Sequence, residues 1–172
     1  MIKVAGLDLS MTETGLVVSM PGAPFGIENQ VIKPRAVRDR RLGEIKRRVM
    51  DEVRGSELVL IEKLPPHLKS AGITGMVQGV IRDALLEEGI SYGDVPPSTL
   101  KLFATGRGGA SKTEMALAAL KRGGLEFRND NVCDAWWLWV VANEHLGQPV
   151  LEMPKRQRDA LKDKIMMEGE AK

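Results

Sequence analysis

The 172 residues carry 25 basic and 23 acidic side chains for a net charge of +2, with 43% hydrophobic and 28% charged residues. Such a balance belongs to a soluble globular chain of one domain, able to bury roughly 70% of its unfolded surface, and excludes a largely disordered or repetitive protein. No apolar run nears the 18 or so residues of a membrane helix, a lone Cys133 excludes an internal disulfide, and Asp8 interrupts the apolar start, so neither a signal peptide nor a membrane role is expected and the compartment is cytoplasmic.

Residues 2–9 (IKVAGLDL) form a short apolar run ending in an acid, and residues 15–20 (GLVVSM) form another. The polar turn Ser10 to Thr14 between them predicts a hairpin. A third strand follows near 26–32, after the turn residues Pro21, Gly22 and Pro24. A helix is predicted over about 36–54, where Leu42, Ile45, Val49 and Val53 recur at helical spacing. The run Glu57 to Glu62 (ELVLIE) has the continuous apolar centre of a strand buried on both faces, and it too ends in an acid.

Beyond Pro65 and Pro66 a second helix is expected from about Ser70 to Glu88, then a short strand near 90–95 and a turn at Pro96 and Pro97. Gly72, Gly75 and Gly79 lie in that helix, and each costs about 1 kcal/mol relative to alanine. They point to a close backbone approach, either of the sheet or of a second subunit. Ser111 and Glu114 form a capping box for a helix over about 112–122, closed by Gly123 and Gly124. A last helix, about Asp130 to His145, carries Trp136, Trp137 and Trp139 as packing residues. Residues 148–172 read as a mixed-charge tail, frayed or a loosely attached helix, which leaves 1–147 as the folded domain. Strands alternating with helices in this order predict an α/β fold, a central mixed sheet with helices on its faces.

Charge is distributed unevenly along the chain. Lys33 to Arg54 holds nine basic and four acidic residues, and Pro97 to Arg128 holds six and two, giving excesses of five and four. Such excesses suit a polyanionic partner, although a basic helix face is commonly just solvated. Two strands end in carboxylates, Asp8 and Glu62, and the last helix offers Asp130 and Asp134. Carboxylates brought together repel unless a cation neutralises them, so their convergence would imply a hard metal such as Mg²⁺. Two such ions about 4 Å apart promote in-line phosphoryl displacement. Taken singly, Glu62 could be a surface residue at a strand end and Asp130 a helix cap. Asp8 and Asp134, however, sit in apolar surroundings where an unpaired charge is costly.

Four segments, GLDLSMTETG (Gly6 to Gly15), VLIE (Val59 to Glu62), PSTLKLFATGRGGASKTEM (Pro97 to Met115) and NVCDAWWLW (Asn131 to Trp139), stand in the order found in RuvC-type Holliday junction resolvases. The chain resembles that family up to about residue 147. The resemblance implies a ribonuclease H-like fold with a five-stranded mixed sheet and a homodimer. It also implies Mg²⁺ or Mn²⁺ bound as two ions per site, and nicking of four-way DNA junctions to leave a ligatable 5′-phosphate. On this likeness Asp8, Glu62 and Asp134 take three of the family's four acidic positions. Asn131 stands where bacterial members carry Asp, with Asp130 one residue earlier; both share a helix face with Asp134, and either could supply the fourth ligand. Lys101 and Lys112 match the family's two lysines that hold the scissile phosphate, and Lys63 and Arg107 join them as expected DNA contacts. The family's dimer helix corresponds to 70–88, so Gly72, Gly75, Met76, Gly79 and Asp83 are expected at a subunit interface. The compact length and Asn131 are similar to viral members of the family, so a phage-encoded protein acting in a bacterial cell is expected.

Several other readings are weaker. Gly106 to Thr113 (GRGGASKT) is one residue from a nucleotide-binding P-loop, but Ser111 replaces the required glycine and serves better as a helix cap. The opening GLDLSMTETG also looks like the first phosphate loop of actin-like ATPases, which need two lobes where this chain has one. A catalytically silent junction-binding protein, suggested by Asn131, and a nuclease of the same fold acting on RNA are the remaining alternatives. His67 and His145 stand apart from each other and suit surface or helix-end positions.

Overall fold

A computed structural model describes residues 2–23, 26–64 and 71–168 of the chain. Six strands form one sheet: β1 (Val4–Asp8), β2 (Thr14–Ser19), β3 (Ile27–Ile32), β4 (Leu58–Glu62), β5 (Ser91–Val95) and β6 (Met166–Glu168). Their spatial order is β3-β2-β1-β4-β5-β6. The β1, β4 and β5 strands run parallel and the other pairings are antiparallel. This mixed α/β sheet is the expected one with a sixth strand added. Val4, Ala5 and Leu7 of β1 and Leu58 to Ile61 of β4 are buried, because helices cover both faces of the central strands.

One face is covered by α1 (Arg40–Val53) and α2 (Ala71–Glu87). Helix α1 turns Ile45, Val49, Met50 and Val53 inward. It begins later than its periodicity suggests because Arg38 adopts a left-handed φ of 51°, which turns the chain just before the helix. Helix α2 buries Val77, Ile81, Ala84 and Leu85. Its glycines do not serve packing on the sheet: among the described residues a Cβ at Gly72 or Gly79 would meet nothing within 4 Å, and one at Gly75 only Leu64 at 3.8 Å. Ile73, Met76 and Leu86 are instead exposed beside them, at 53%, 45% and 52%.

The opposite face carries α3 (Pro97–Thr105), α4 (Lys112–Gly123) and α5 (Asp130–His145). Helix α3 replaces the turn expected at Pro96 and Pro97. Pro97 occupies the first helical turn, where its missing N–H would have had no partner anyway. The Ser111–Glu114 capping box starts α4 as expected. Helix α5 is capped by the Asn129 side chain, which accepts from the Val132 amide, and not by Asp130. Its three tryptophans are buried, with Trp137 edge-on to Phe103 and Trp136. His145 is exposed in the last turn, whereas His67 lies outside the described residues.

The segment after α5 is more ordered than its composition suggests. Met153, Gln157 and Leu161 are buried around α6 (Lys155–Asp159). The Gln157 amide donates to the Phe103 carbonyl at 2.7 Å, and β6 pairs with β5. Two isolated apolar anchors, Met153 and Leu161, and the buried Gln157 amide fix it to the domain without an apolar periodicity.

Candidate active site

Leu7 and Ile61 are partners in the parallel β1–β4 ladder, so the next residues, Asp8 and Glu62, stand side by side on one face at the carboxyl ends of the two strands. That face is the one covered by α5. The helix lies so low on the sheet that a Cβ at Gly6 would come within 2.1 Å of the Ala135 carbonyl and 2.5 Å of the Trp139 nitrogen. At Gly15 it would meet the Asn131 carbonyl at 2.1 Å. Only glycine lets the helix descend this far, and the descent lowers Asp134 toward the strand-end acids. All three acids are half-buried at this rim.

Their electrostatics record the convergence. Asp8 is raised from 3.8 to about 7, first by burial and next by the charge of Asp134, with Lys112 opposing. Glu62 is raised from 4.5 to about 8 by burial, then by Asp8 and Asp134, while Lys101 and Lys112 pull it down. Asp134 is raised from 3.8 to about 6 by burial against the same two lysines. Three acids from β1, β4 and α5 and two lysines from α3 and α4 therefore share one field. Among the described residues no three His, Cys, Asp or Glu side chains form a ready-made cage for a metal ion. The acids are gathered within electrostatic reach of one another, short of a closed ligand set. Hard oxygen donors that resist ionising without a counter-charge are nevertheless the donor chemistry a divalent cation requires. Cys133 does not compete as a nucleophile, since burial pushes its thiol up to about 12.

The two candidates for a fourth ligand are already engaged. Asp130 is exposed and pairs with Lys112 at 3.1 Å. The Asn131 amide donates to the Glu13 backbone carbonyl at 2.7 Å. Arg107 pairs with Glu114 at 2.6 Å, and Lys63 lies against the Met166 sulfur at 3.5 Å; neither contributes to the shifts of the three acids.

Sequence reasoning overlooked two supporting groups. Glu13, in the β1–β2 turn, bonds Asn129 and pairs with Lys33 at 3.2 Å, tying the start of α5 to the end of β3. Gln78, buried in α2, donates to the Glu62 carbonyl at 2.8 Å and accepts from Arg82, which also grips Asp94 at 2.8 Å. Glu13 had no signal beyond its place in a polar turn. Gln78 was detectable only as a polar residue on the buried stripe of a helix.

No protein-family model matches the chain, and no curated protein matches its sequence. Solved structures do match it in fold, two RuvC structures among them. RuvC of Thermus thermophilus superposes with a TM-score of 0.69 at 24% identity, covering 89% of this chain and 100% of that one. T. thermophilus RuvC in complex with Holliday junction substrate superposes with a TM-score of 0.67 at 25% identity, over 90% of this chain and 100% of that one. The chain has the ribonuclease H-like fold of RuvC, as its motifs implied. No helix is long and apolar enough to cross a membrane among the described residues.

Proposed function

We propose that the chain is a divalent-metal-dependent endonuclease of the RuvC type, a homodimer that nicks branched DNA such as four-way junctions. The observation that carries this reading is the meeting of Asp8, Glu62 and Asp134 with Lys101 and Lys112 on a fold shared with a junction-bound RuvC. In this reading the three carboxylates hold Mg²⁺, with Asp130 or Asn131 filling the fourth position. When bound, two such ions supply the Lewis acidity that phosphodiester hydrolysis needs.

The chain's own groups divide the remaining work. Asp8 and Glu62, fixed on rigid strand ends, and Asp134, fixed by the low seat of α5, set where the scissile phosphate can sit. Lys101 and Lys112 keep the acids from repelling DNA and counter charge developing on the phosphate. Lys63 and Arg107 extend the contact to the backbone. The exposed stripe of Gly72, Ile73, Met76, Gly79 and Asp83 on α2 suits a subunit partner, since glycines with open space above them admit a second helix closely.

Labelled four-way, three-way and linear DNA, incubated with the protein with and without Mg²⁺, test the reading. Expected is metal-dependent nicking of the four-way junction leaving ligatable 5′-phosphates, abolished in Asp8→Asn with binding retained. Binding without nicking would favour a silent junction-binding protein, and preferential cleavage of RNA would favour an RNA nuclease of the same fold.

A further inference from the structure

The basic excess between Lys33 and Arg54 is concentrated at one end of that stretch. From Lys46 to the end of α1 and just beyond it the cations are paired: Lys46 with Glu87 at 3.6 Å, Arg47 with Asp51 at 3.6 Å, Arg48 with Glu44 at 3.9 Å and Arg54 with Glu88 at 2.9 Å. Lys33 is neutralised by Glu13. Among the described residues, Arg35, Arg38 and Arg40 are in no ion pair, and all three are exposed. The excess charge therefore sits on residues 35–41, the connection from β3 and the first residues of α1, where four arginines stand against the one acid Asp39.

That connection is held in place without packing. No side chain from 33 to 41 is buried, and Val37 at its tip is 63% exposed. Polar contacts from α1 fix it instead. The Glu44 carboxylate accepts from the Arg35 amide at 2.9 Å and the Ala36 amide at 2.8 Å, holding its own pKa below the usual range. Arg41 donates to the Ala36 carbonyl at 3.1 Å and Arg48 to the Lys33 carbonyl at 3.2 Å. A loop ordered by its backbone with its guanidinium groups directed outward is pre-organised for a ligand of opposite charge.

Its position indicates which ligand. Asp8 pairs with Gly15 and Gly15 with Val31, so the loop leaves the sheet at the end that carries the acids. Val31, just before the loop begins, stands two interstrand spacings, about 10 Å, to one side of Asp8. We infer that residues 35–41 form a second DNA-contact surface, on which Arg35, Arg38 and Arg40 grip the phosphates of the duplex arm running off the acidic site. Flexible guanidinium groups on a loop read backbone charge and not base edges, so the contact is independent of sequence. This inference rests on the reading of the acids as a nuclease centre for branched DNA.

The test compares salt dependence of junction binding for the wild type, Arg35→Ala/Arg38→Ala, and a control with equal charge loss at the far end of the sheet and of α4, Lys3→Ala/Lys121→Ala. Two lost phosphate contacts should flatten the slope of log K against log salt by about 1.8. Affinity near 0.1 M salt should fall about tenfold, with a smaller change in the nicking rate at saturating DNA and a control slope equal to wild type. An unchanged slope, or an equal change in the control, overturns the inference. Wild-type binding without nicking would defeat the nuclease reading while leaving the slope to judge the loop. Absence of junction binding by the wild type would defeat both.

Discussion

Replacing Asp8 by asparagine keeps the side chain's volume and removes its charge, which gives opposite effects on activity and on stability without metal. The folded protein holds the Asp8 proton up to about pH 7, whereas the unfolded chain releases it near the ordinary value of 3.8. Between those values the unfolded state binds fewer protons, so stability falls as pH rises. A difference of about three pH units is worth about 4 kcal/mol at 1.36 kcal/mol per unit. Buried sites respond as if their effective dielectric were near 20, because water and neighbouring groups rearrange around a new charge, and about 1–2 kcal/mol is expected to remain. Glu62 and Asp134 shift in the same sense, and removing Asp8 relieves Glu62 as well. Thermal melts in EDTA should therefore show the wild type less stable at pH 8 than at pH 5.5. Asp8→Asn should melt about 4 °C above wild type at pH 8, on the scale of 2–4 °C per kcal/mol for a chain of this size, with the gap narrowing by about half at pH 5.5 and closing only below the unfolded value of 3.8. Mg²⁺ should raise the wild-type midpoint more than that of the variant. A variant that melts at or below wild type at pH 8 without metal would refute the reasoning.

Gly6→Ala should cost about 3 kcal/mol or more and abolish nicking, because the new methyl meets the α5 backbone carbonyl of Ala135; urea unfolding measures the loss. Lys101→Ala should lower the nicking rate about 100-fold while changing junction affinity much less, as single-turnover kinetics would reveal. Ile73→Glu/Met76→Glu, on the exposed stripe of α2, should yield a folded monomer by sedimentation, and a dimer persisting in that variant would remove α2 from the interface.

The sheet and the three principal acids were legible because each rests on a strong local pattern. Apolar runs that end in Asp8 and Glu62 mark strand ends, and Asp134 precedes the unbroken apolar run of α5. Non-local effects were not legible. Helix α3 was hidden by Pro96 and Pro97, which read as a turn until the first helical position is known. The order of residues 148–168 depends on Gln157 finding the Phe103 carbonyl and on β5 offering a free edge, and no periodicity encodes either. The meaning of the glycines divides in the same way. Those of α2 stood out by their number yet face open space, whereas Gly6 and Gly15, unremarked singly, set the height of α5 and with it the position of Asp134.

The two borders of the sheet are guarded by different means. Strand β3 protects itself by composition, with Glu28, Asn29 and Gln30 along a border that pairs with no further strand among the described residues. Strand β5, whose Asp94 is held by Arg82, is protected instead by Met166 to Glu168 lying along it. A shortened protein ending near residue 147 would keep every acid and lysine of the site, yet it would offer a bare row of amides and carbonyls to its neighbours. Loss of solubility, rather than loss of chemistry, is the failure such a truncation should show first.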